Sequence, residues 1–233
     1  MLTYKTFHRP MTYGAFGPLV RYTRLMHSRL MRTYADWRVG ATIAEKYLYR
    51  SSPNIVLTFD DYGSAEQVES LLEILAAENI RSIFFLQGDW VAANAQLLQR
   101  IKDRGHVIGN HTYSHANLMR LSDEEVRSEI ANGPKSTLMR PPGGRYDERI
   151  RQISASLGQN IAYWTIDSDD WKGVTAEYMR QKILDQLHPG AVILFHLHAD
   201  NTIQLLPELI SEIRGLDYEF MNVDEDPMDG PNV

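Results

Sequence analysis

Short apolar runs of β type alternate with segments of helical length from residue 54 onward, and this alternation limits the possible folds more than any other feature. Nearly continuous apolar runs are typical of strands that are buried on both faces, and strands that alternate with helices indicate a parallel sheet. The predicted strands are Asn54–Phe59, Arg81–Leu86, His106–Gly109, Thr137–Arg140, Asn160–Ile166, Ala191–His196 and Tyr218–Val223. The pattern therefore predicts an α/β fold, but it does not distinguish a closed barrel from an open doubly wound sheet.

The segments between these strands carry the signals of amphipathic helices. Apolar residues recur at helical spacing after Ser64, and Ser122 is followed three residues later by Glu125, which is the pattern of a capping box. The predicted helices are Ser64–Glu78, Trp90–Arg104, one that begins at Ser122, Asp147–Leu157, Thr175–Leu187 and Ile203–Arg214.

Composition divides the chain into a basic N-terminal arm (residues 1–53), a main domain (54–223) and an acidic tail (224–233). Within the arm, Leu19–Arg32 predicts an amphipathic helix with a basic face. Packing of this helix against the acidic main domain is the simpler interpretation. Peripheral contact with an anionic membrane surface is the alternative that the sequence leaves open.

Composition also excludes several classes of protein. The 233 residues include no cysteine, which excludes disulfides, thiolate metal sites and a cysteine nucleophile, so any metal must bind to His, Asp or Glu. The net charge is −6 and the arm is basic, so the main domain is acidic, which argues against a nucleic-acid partner. The sequence contains no apolar run long enough to predict a transmembrane helix, and no run typical of a signal peptide. We therefore expect a cytoplasmic location.

Polar groups cluster where the predicted strands end. The carboxyl ends of parallel strands meet at one edge of the sheet, which is where the active sites of such folds lie. Five strand ends carry, in order, Asp60-Asp61, His111 with His115, Arg140-Pro141-Pro142-Gly143, Asp167 to Trp171, and Leu194 with His196. Each group alone has a structural explanation, such as helix capping or a plain turn, but together they indicate a functional site.

The histidines of this set suggest a metal site. His111 and His115 are four residues apart, so their imidazoles would lie on one face if the turn that carries them is helical. Two imidazoles and one carboxylate can hold a divalent ion. Strand alternation would also place His196 and His198 on one face if the strand extends that far, and a lone histidine there more often has a structural role.

The five motifs, in this order, resemble those of the NodB-homology polysaccharide deacetylases, also called carbohydrate esterase family 4. The resemblance extends from Asn54 to Val223 and identifies this range as the expected catalytic domain. It implies a distorted (β/α) barrel of about seven parallel strands. It also implies a metal-dependent hydrolase that removes N-acetyl groups from oligo- or polysaccharides containing N-acetylglucosamine, such as chitooligosaccharides or peptidoglycan.

The resemblance implies a role for each residue at the shared edge. Asp60 would be the general base and His196 the general acid. Arg140 would orient Asp60, and Asp170 would tune either Arg140 or His196. The implied metal ligands are Asp61, His111 and His115. The expected substrate-binding residues are Tyr62, Pro142, Gly143, Tyr146, Trp171 and Leu194.

Two positions depart from the family pattern. Gly143 stands where the family usually has an aromatic residue, which retains the backbone N–H as an oxyanion donor but removes a ring from the pocket wall. Tyr146 is the candidate to replace that ring. Tyr62 stands where the first motif usually continues with glycine, so we expect these departures to affect substrate preference more than catalysis.

Other choices of ion and substrate stay open at this point. Two histidines and an aspartate suit Zn²⁺ best, but Co²⁺, Ni²⁺ or Mn²⁺ also accept such ligands. The expected cytoplasmic location favours an oligosaccharide or a lipid-linked sugar over an extracellular polymer. The alternatives to N-deacetylation are hydrolysis of another amide or ester, such as a formyl-sugar or O-acetyl-xylan, and carbohydrate binding without catalysis.

Overall fold

The computed structural model of this chain describes residues 54–223. The predicted arm and tail, with the helix predicted over Leu19–Arg32, lie outside the described residues. Of the helices in the described part of the chain, none combines the length and the apolar character needed to cross a membrane.

Eight strands and seven α-helices alternate along the described chain, broadly as predicted. The strands are β1 (Asn54–Asp61), β2 (Ile83–Leu86), β3 (Val107–Asn110), β4 (Leu138–Met139), β5 (Asn160–Ile161), β6 (Ile166–Asp167), β7 (Val192–His196) and β8 (Glu219–Phe220). The α-helices are α1 (Ala65–Ala77), α2 (Gly88–Ala93), α3 (Ala95–Asp103), α4 (Asp123–Asn132), α5 (Glu148–Ser156), α6 (Ala176–Gln186) and α7 (Asp200–Gly215). Three 3₁₀ turns lie at Leu118–Arg120, Pro142–Gly144 and Asp170–Lys172.

All strand pairings in the sheet are parallel, and the strand order is β5-β4-β3-β2-β1-β7-β6, with β8 paired to the start of β1. The sheet curls into an open half-barrel, which confirms the predicted distorted (β/α) barrel of about seven strands. The long central strand β1 pairs with β2 and β7, and its register places Asp60 opposite Phe85 and His196. This register brings residues distant in the sequence to one edge of the sheet.

The strand predicted over Asn160–Ile166 is in fact two short strands. β5 pairs with β4 and β6 pairs with β7, so the two strands lie at opposite ends of the sheet order. The four residues between them cross the opening of the barrel, where carbonyl oxygens of Ala162 and Tyr163 accept hydrogen bonds from the Arg140 guanidinium. At these two residues, hydrogen bonds from a side chain take the place of bonds from a neighbouring strand. An apolar run in the sequence does not predict such contacts.

The helix predicted over Trp90–Arg104 is likewise divided, into α2 and α3. Asn94 separates them with a non-helical φ of −129° and ψ of 44°, and its side-chain amide donates to the carbonyl oxygen of Trp90. Asparagine favours such breaks because its amide competes for backbone hydrogen bonds. The two predicted N-termini at Ser64 and Ser122 are confirmed, since both carry complete capping boxes.

Strand alternation gives β1 two different faces. Leu57 and Phe59 belong to the largest hydrophobic cluster, in which the Phe59 ring lies 5.2 Å from that of Phe84 and 5.8 Å from that of Phe195. Val56, on the opposite face, belongs to a second cluster with Phe85. Asp60 falls on the same face as Val56, so burial of the apolar face fixes the direction in which this carboxylate points.

Candidate active site

Asp61, His111 and His115 are brought together as predicted. Oδ1 of Asp61 lies 3.2 Å from Nε2 of His111 and 3.2 Å from Nε2 of His115. The three ligand atoms all lie within 4.8 Å of one another. Two ligands that each lie about 2.0–2.1 Å from a tetrahedral ion are about 3.3 Å apart, so this donor set fits one divalent ion.

The loop that carries the two histidines is not helical. A helical turn was the condition under which their spacing would place both imidazoles on one face. Thr112 and His115 have positive φ values of 65° and 59°, and the segment after β3 is irregular. These two left-handed residues turn the chain sharply and leave the rings of His111 and His115 with centroids 5.0 Å apart. The two imidazoles therefore lie together as expected, although the helical turn that was the condition for that expectation is absent.

Glu129 of α4 holds this histidine loop. Its carboxylate accepts hydrogen bonds from the backbone N–H groups of Tyr113 and Ser114, at 3.1 and 2.9 Å, and from the Ser114 hydroxyl at 2.8 Å. The Asn110 side chain accepts a further bond from the N–H of Thr112 at 2.7 Å. Because left-handed non-glycine residues cost roughly 1–3 kcal/mol each, such bonds are needed to keep the loop in this conformation.

Asp61 ends β1 with a φ of 76°, which is uncommon for a residue other than glycine. Its Oδ1 also accepts a hydrogen bond from Nε2 of Gln87 at 3.2 Å. Burial acts to raise the pKa of Asp61, but the hydrogen bond to His111 and the charges of His111 and His115 outweigh burial and hold that pKa well below its usual value. The carboxylate is therefore ionised at neutral pH, as a metal ligand must be.

Asp60 lies beside this triad but belongs to a different network. Its Oδ1 accepts a hydrogen bond at 2.6 Å from Nη1 of Arg140, whose side chain is fully buried. The same guanidinium donates to Oγ1 of Thr58 at 2.9 Å, and to the carbonyl oxygens of Ala162 and Tyr163 at 3.3 and 3.2 Å. Burial lowers the pKa of Arg140, and the Asp60 carboxylate opposes this effect. These contacts give Arg140 the geometry expected of a residue that orients Asp60.

The backbone of Arg140 also fixes the ring of His111. Nδ1 of His111 lies 2.8 Å from the carbonyl oxygen of Arg140. Because a carbonyl oxygen can only accept, the hydrogen-bonding partner assigns the proton to Nδ1. Nε2, which faces Asp61, is then the nitrogen that would bind a metal ion.

Asp170 holds His196 with both carboxylate oxygens. Oδ1 lies 2.6 Å from Nδ1 of His196, and Oδ2 accepts from the backbone N–H of His196 at 2.7 Å. Oδ2 also accepts from the Thr202 hydroxyl at 2.6 Å. Of the two partners that the sequence left open for Asp170, the structure places His196 in contact with it.

This pairing controls the charge of His196. Burial acts to lower the pKa of His196, but the hydrogen bond and charge of Asp170, with the charges of Asp60 and Asp61, outweigh burial and raise that pKa to about 9. The imidazole is therefore cationic at neutral pH. Since Nδ1 is engaged by Asp170, Nε2–H is the proton that His196 can offer to a ligand.

Two of the predicted substrate-binding residues lie next to this acid. Trp171 follows Asp170 and has 54% of its surface exposed, with Nζ of Lys172 4.9 Å from its ring centroid. Leu194 is buried on β7, where it pairs in register with Thr58. An exposed ring and a buried aliphatic side chain near the acid are suitable walls for a small acyl group, and their role in binding stays a prediction.

Pro142 and Gly143 form the tight turn that follows β4. Gly143 has a φ of 59°, and a Cβ at this position would meet nothing within 4 Å. The N–H groups of Gly144 and Arg145 donate within the turn, to the carbonyl oxygens of Pro141 and Pro142. The N–H of Gly143 is the candidate oxyanion donor, and the open space beside Gly143 is consistent with the missing aromatic ring.

The remaining two predicted substrate-binding residues have different surroundings. The Tyr146 ring packs against a hydrophobic cluster between α4 and α5, and its centroid lies 6.3 Å from that of Tyr163. Burial and the charge of Tyr163 raise the pKa of Tyr146 to about 12. Tyr62 is 48% exposed and stacks on His198, with ring centroids 5.3 Å apart. Tyr62 is thus the ring that flanks the metal triad.

The residues that contact the site and were not predicted include Thr58, Gln87, Glu129 and Thr202. Thr58 could have been found, because strand alternation places it on the same face as Asp60. Gln87 directly follows β2 and therefore lies at the carboxyl edge of the sheet. Glu129 and Thr202 lie on helices, and no local pattern connects them to a strand end.

The chain is similar in sequence and in fold to known proteins. The profile of the family described as polysaccharide deacetylase matches residues 49–162. The peptidoglycan-N-acetylglucosamine deacetylase of Bacillus cereus is 33% identical over 243 residues, covering 95% of this chain and 87% of that protein. A family 4 carbohydrate esterase from Streptomyces lividans, solved in complex with acetate, superposes with a TM-score of 0.69 at 29% identity and covers 78% of this chain and 97% of its own.

One similar structure is described as inactive. A carbohydrate esterase family 4 pseudoenzyme from Bacillus anthracis superposes with a TM-score of 0.70 at 27% identity, covering 74% of this chain and 64% of that chain. Similarity of fold therefore does not establish catalysis. Activity depends instead on the side chains that a protein of this fold retains at the site.

Proposed function

Because this chain belongs to the polysaccharide deacetylase family, as its motifs predicted, we propose that it hydrolyses the N-acetyl groups of N-acetylglucosamine residues in a glycan. The observation that carries the proposal is that one edge of the sheet holds a separate base, a separate acid and a separate set of metal ligands. A buried carboxylate, Asp60, and a cationic imidazole, His196, are held by separate partners and flank one donor set for a divalent ion.

Asp61, His111 and His115 would hold the ion. Their distances fit a tetrahedral ion, Asp61 is ionised, and the hydrogen bond to Arg140 leaves Nε2 of His111 available. Two imidazoles and one carboxylate favour Zn²⁺ over the harder ions, while Co²⁺, Ni²⁺ and Mn²⁺ accept the same ligands. When bound, such an ion supplies Lewis acidity for the acetyl carbonyl and for water.

The protein side chains would carry the protons of the reaction. Asp60 accepts a proton from the attacking water, and Arg140 keeps this carboxylate in place. His196, cationic through Asp170, donates a proton to the amide nitrogen as the C–N bond breaks. Acetic acid and a free amine leave, and the proton that Asp60 gained passes through solvent to His196, which restores both groups to their starting charge.

The loop after β4 would bind the acetyl oxygen. The Gly143 N–H is the candidate donor to the negative charge that develops on this oxygen, and a rigid backbone donor requires no reorganisation during the reaction. Trp171 and Leu194 would contact the methyl group. The sugar itself would lie toward Gly143 and Tyr62, where this chain departs from the family pattern.

The similarity to a peptidoglycan-N-acetylglucosamine deacetylase favours N-acetylglucosamine in peptidoglycan as the substrate of this chain. Chitooligosaccharides contain the same acetamido sugar. The cytoplasmic location and the membrane contact of the arm stay predictions. The test is mass spectrometry of chitotetraose and of muramidase-digested peptidoglycan after incubation with protein loaded with Zn²⁺ or Co²⁺. Loss of acetyl mass units from either substrate is the expected result.

The alternatives give different products in the same experiment. Acetate release from acetylated xylan with no change in either amino-sugar substrate would indicate an esterase. Binding of chitotetraose without any loss of mass would indicate a carbohydrate-binding protein, and either result would contradict the proposal.

A further inference from the structure

His198 lies beside the metal triad, and its surroundings are unusual for a surface histidine. Its Nδ1 is buried and has no hydrogen-bond partner among residues 54–223. The nearest acidic group is Asp61, whose Oδ2 lies 3.8 Å from this nitrogen. A buried polar atom without a partner is energetically unfavourable, so its position requires an explanation.

The two oxygens of Asp61 have different neighbours. Oδ1 lies within 3.2 Å of His111, His115 and Gln87, and it is the oxygen that would bind the ion. Oδ2 faces His198 instead. A hydrogen-bond donor on Oδ2 would favour the carboxylate orientation in which Oδ1 points toward the two imidazoles.

The ring of His198 is held in place by its surroundings. Tyr62 stacks on it with an interplanar angle of 22°, and the ring of His196 lies on another side with its centroid 5.6 Å away. The backbone carbonyl of His198 accepts a hydrogen bond at 3.0 Å from Nε2 of Gln67, near the start of α1. The imidazole is therefore in contact with aromatic rings on two sides.

From these contacts we propose that His198 is a positioning residue for Asp61, with its Nδ1–H hydrogen-bonded to Oδ2 when a metal ion is bound. The inference rests on the proposed metal-dependent function and assigns a role to His198, which that function leaves unused. Tyr62, which replaces the usual glycine of the first motif, would hold the His198 ring in the orientation that this bond requires.

Removal of such a bond is expected to weaken metal binding. Partners that orient a metal ligand are typically worth 10- to 100-fold in metal affinity. Because His198 does not supply a ligand atom, loss of its bond should weaken the site without changing the number of protein ligands.

Two substitutions separate this hydrogen bond from ring packing. His198→Phe keeps an aromatic ring to stack on Tyr62 but removes the donor. His198→Asn removes the ring but places an amide N–H near the position of Nδ1. We expect His198→Phe to lose 10- to 100-fold in Zn²⁺ affinity, measured by competition with a chromophoric chelator, and His198→Asn to remain within a few-fold of wild type.

The opposite order would overturn the proposal. If His198 acts only through ring packing, His198→Phe should bind Zn²⁺ like wild type and His198→Asn should bind it more weakly. The visible absorption of Co²⁺-loaded protein gives a second test, because an unchanged band in saturated His198→Phe is expected for a positioning residue. A band shifted toward a different coordination number would make His198 a ligand and would also overturn the proposal.

The same measurements distinguish failure of this inference from failure of the proposed function. If wild-type protein binds no Zn²⁺ or Co²⁺, the metal-dependent function is wrong. If wild type binds metal and removes acetyl groups while both His198 variants bind metal equally well, the inference alone is wrong. The circular dichroism of each metal-free variant confirms that the affinities compare folded proteins.

Discussion

The two halves of the candidate site are built in different ways. In the acid–base half (Asp60, Arg140, Asp170 and His196), the side chains of Arg140 and Asp170 are fully buried, and each titratable group has a hydrogen bond of 2.6 Å to its partner. In the metal half (Asp61, His111 and His115), the His115 side chain is 40% exposed, and two of the three residues have positive φ. The folded chain holds the first half through buried side-chain partners, whereas we expect a bound ion to hold the more exposed ligands of the second half in place.

The largest expected effect is on the metal half. Asp61→Ala removes the oxygen that both imidazoles face, so we expect loss of stoichiometric metal and a fall in acetate release of at least about 10³-fold. Elemental analysis and an acetate assay measure the two quantities. Glu73→Ala, which removes an exposed carboxylate from α1, is the control and should bind metal normally. Full activity of a metal-free Asp61→Ala protein would contradict the assignment.

A substitution in the acid–base half should lower turnover without changing metal binding. Asp60→Asn keeps an oxygen that can accept from Arg140 but is a much weaker base, so we expect metal content to stay near wild type while kcat falls by about 10²- to 10⁴-fold. Metal content and kcat are measured on the same preparation. If the variant instead loses its ion and regains its rate when metal is added back, the roles of the two adjacent aspartates are reversed.

An effect of intermediate size is expected from the charge of His196, which controls the pH dependence of kcat/KM. Asp170 raises the pKa of His196 to about 9, so the cationic acid persists through neutral pH and is lost as the pH rises through that value. Asp170→Asn removes the charge while burial continues to lower the pKa of His196. The alkaline limb of kcat/KM against pH should therefore move to lower pH in this variant. An unchanged limb would show that another group is the acid.

The same contrast explains what the sequence could predict. The ends of β1 and β7 follow from apolar runs, so Asp60 and His196 were placed correctly by the strand pattern and the sheet register. The histidine loop has no such pattern, because the left-handed residues Thr112 and His115 depend on tertiary hydrogen bonds. The resemblance carried by the five motifs implied the ligands there, and no pattern in the sequence predicted the conformation of this loop.

Arg140 illustrates a second limit. Its place after β4 was predictable, but its guanidinium fills the gap between β5 and β6 and binds two carbonyl oxygens there. A charged side chain that closes a sheet opening leaves no periodic signal, so the run from Asn160 to Ile166 was predicted as one strand. The error therefore arose at the place where side-chain contacts replace backbone pairing.

The smallest expected effect tests whether the metal half is organised by its loop as well as by the ion. Glu129→Gln keeps one carbonyl oxygen for the N–H groups of Tyr113 and Ser114 but removes the charge and the acceptor for the Ser114 hydroxyl. We expect Zn²⁺ affinity to fall about tenfold, with kcat at saturating metal near wild type, because the loop orients two ligands but touches no reacting atom. Glu124→Gln, an exposed change on the same helix, should leave the affinity unchanged. If Glu129→Gln binds Zn²⁺ as tightly as this control, the ion alone orders the loop, and the contrast between the two halves becomes sharper than proposed.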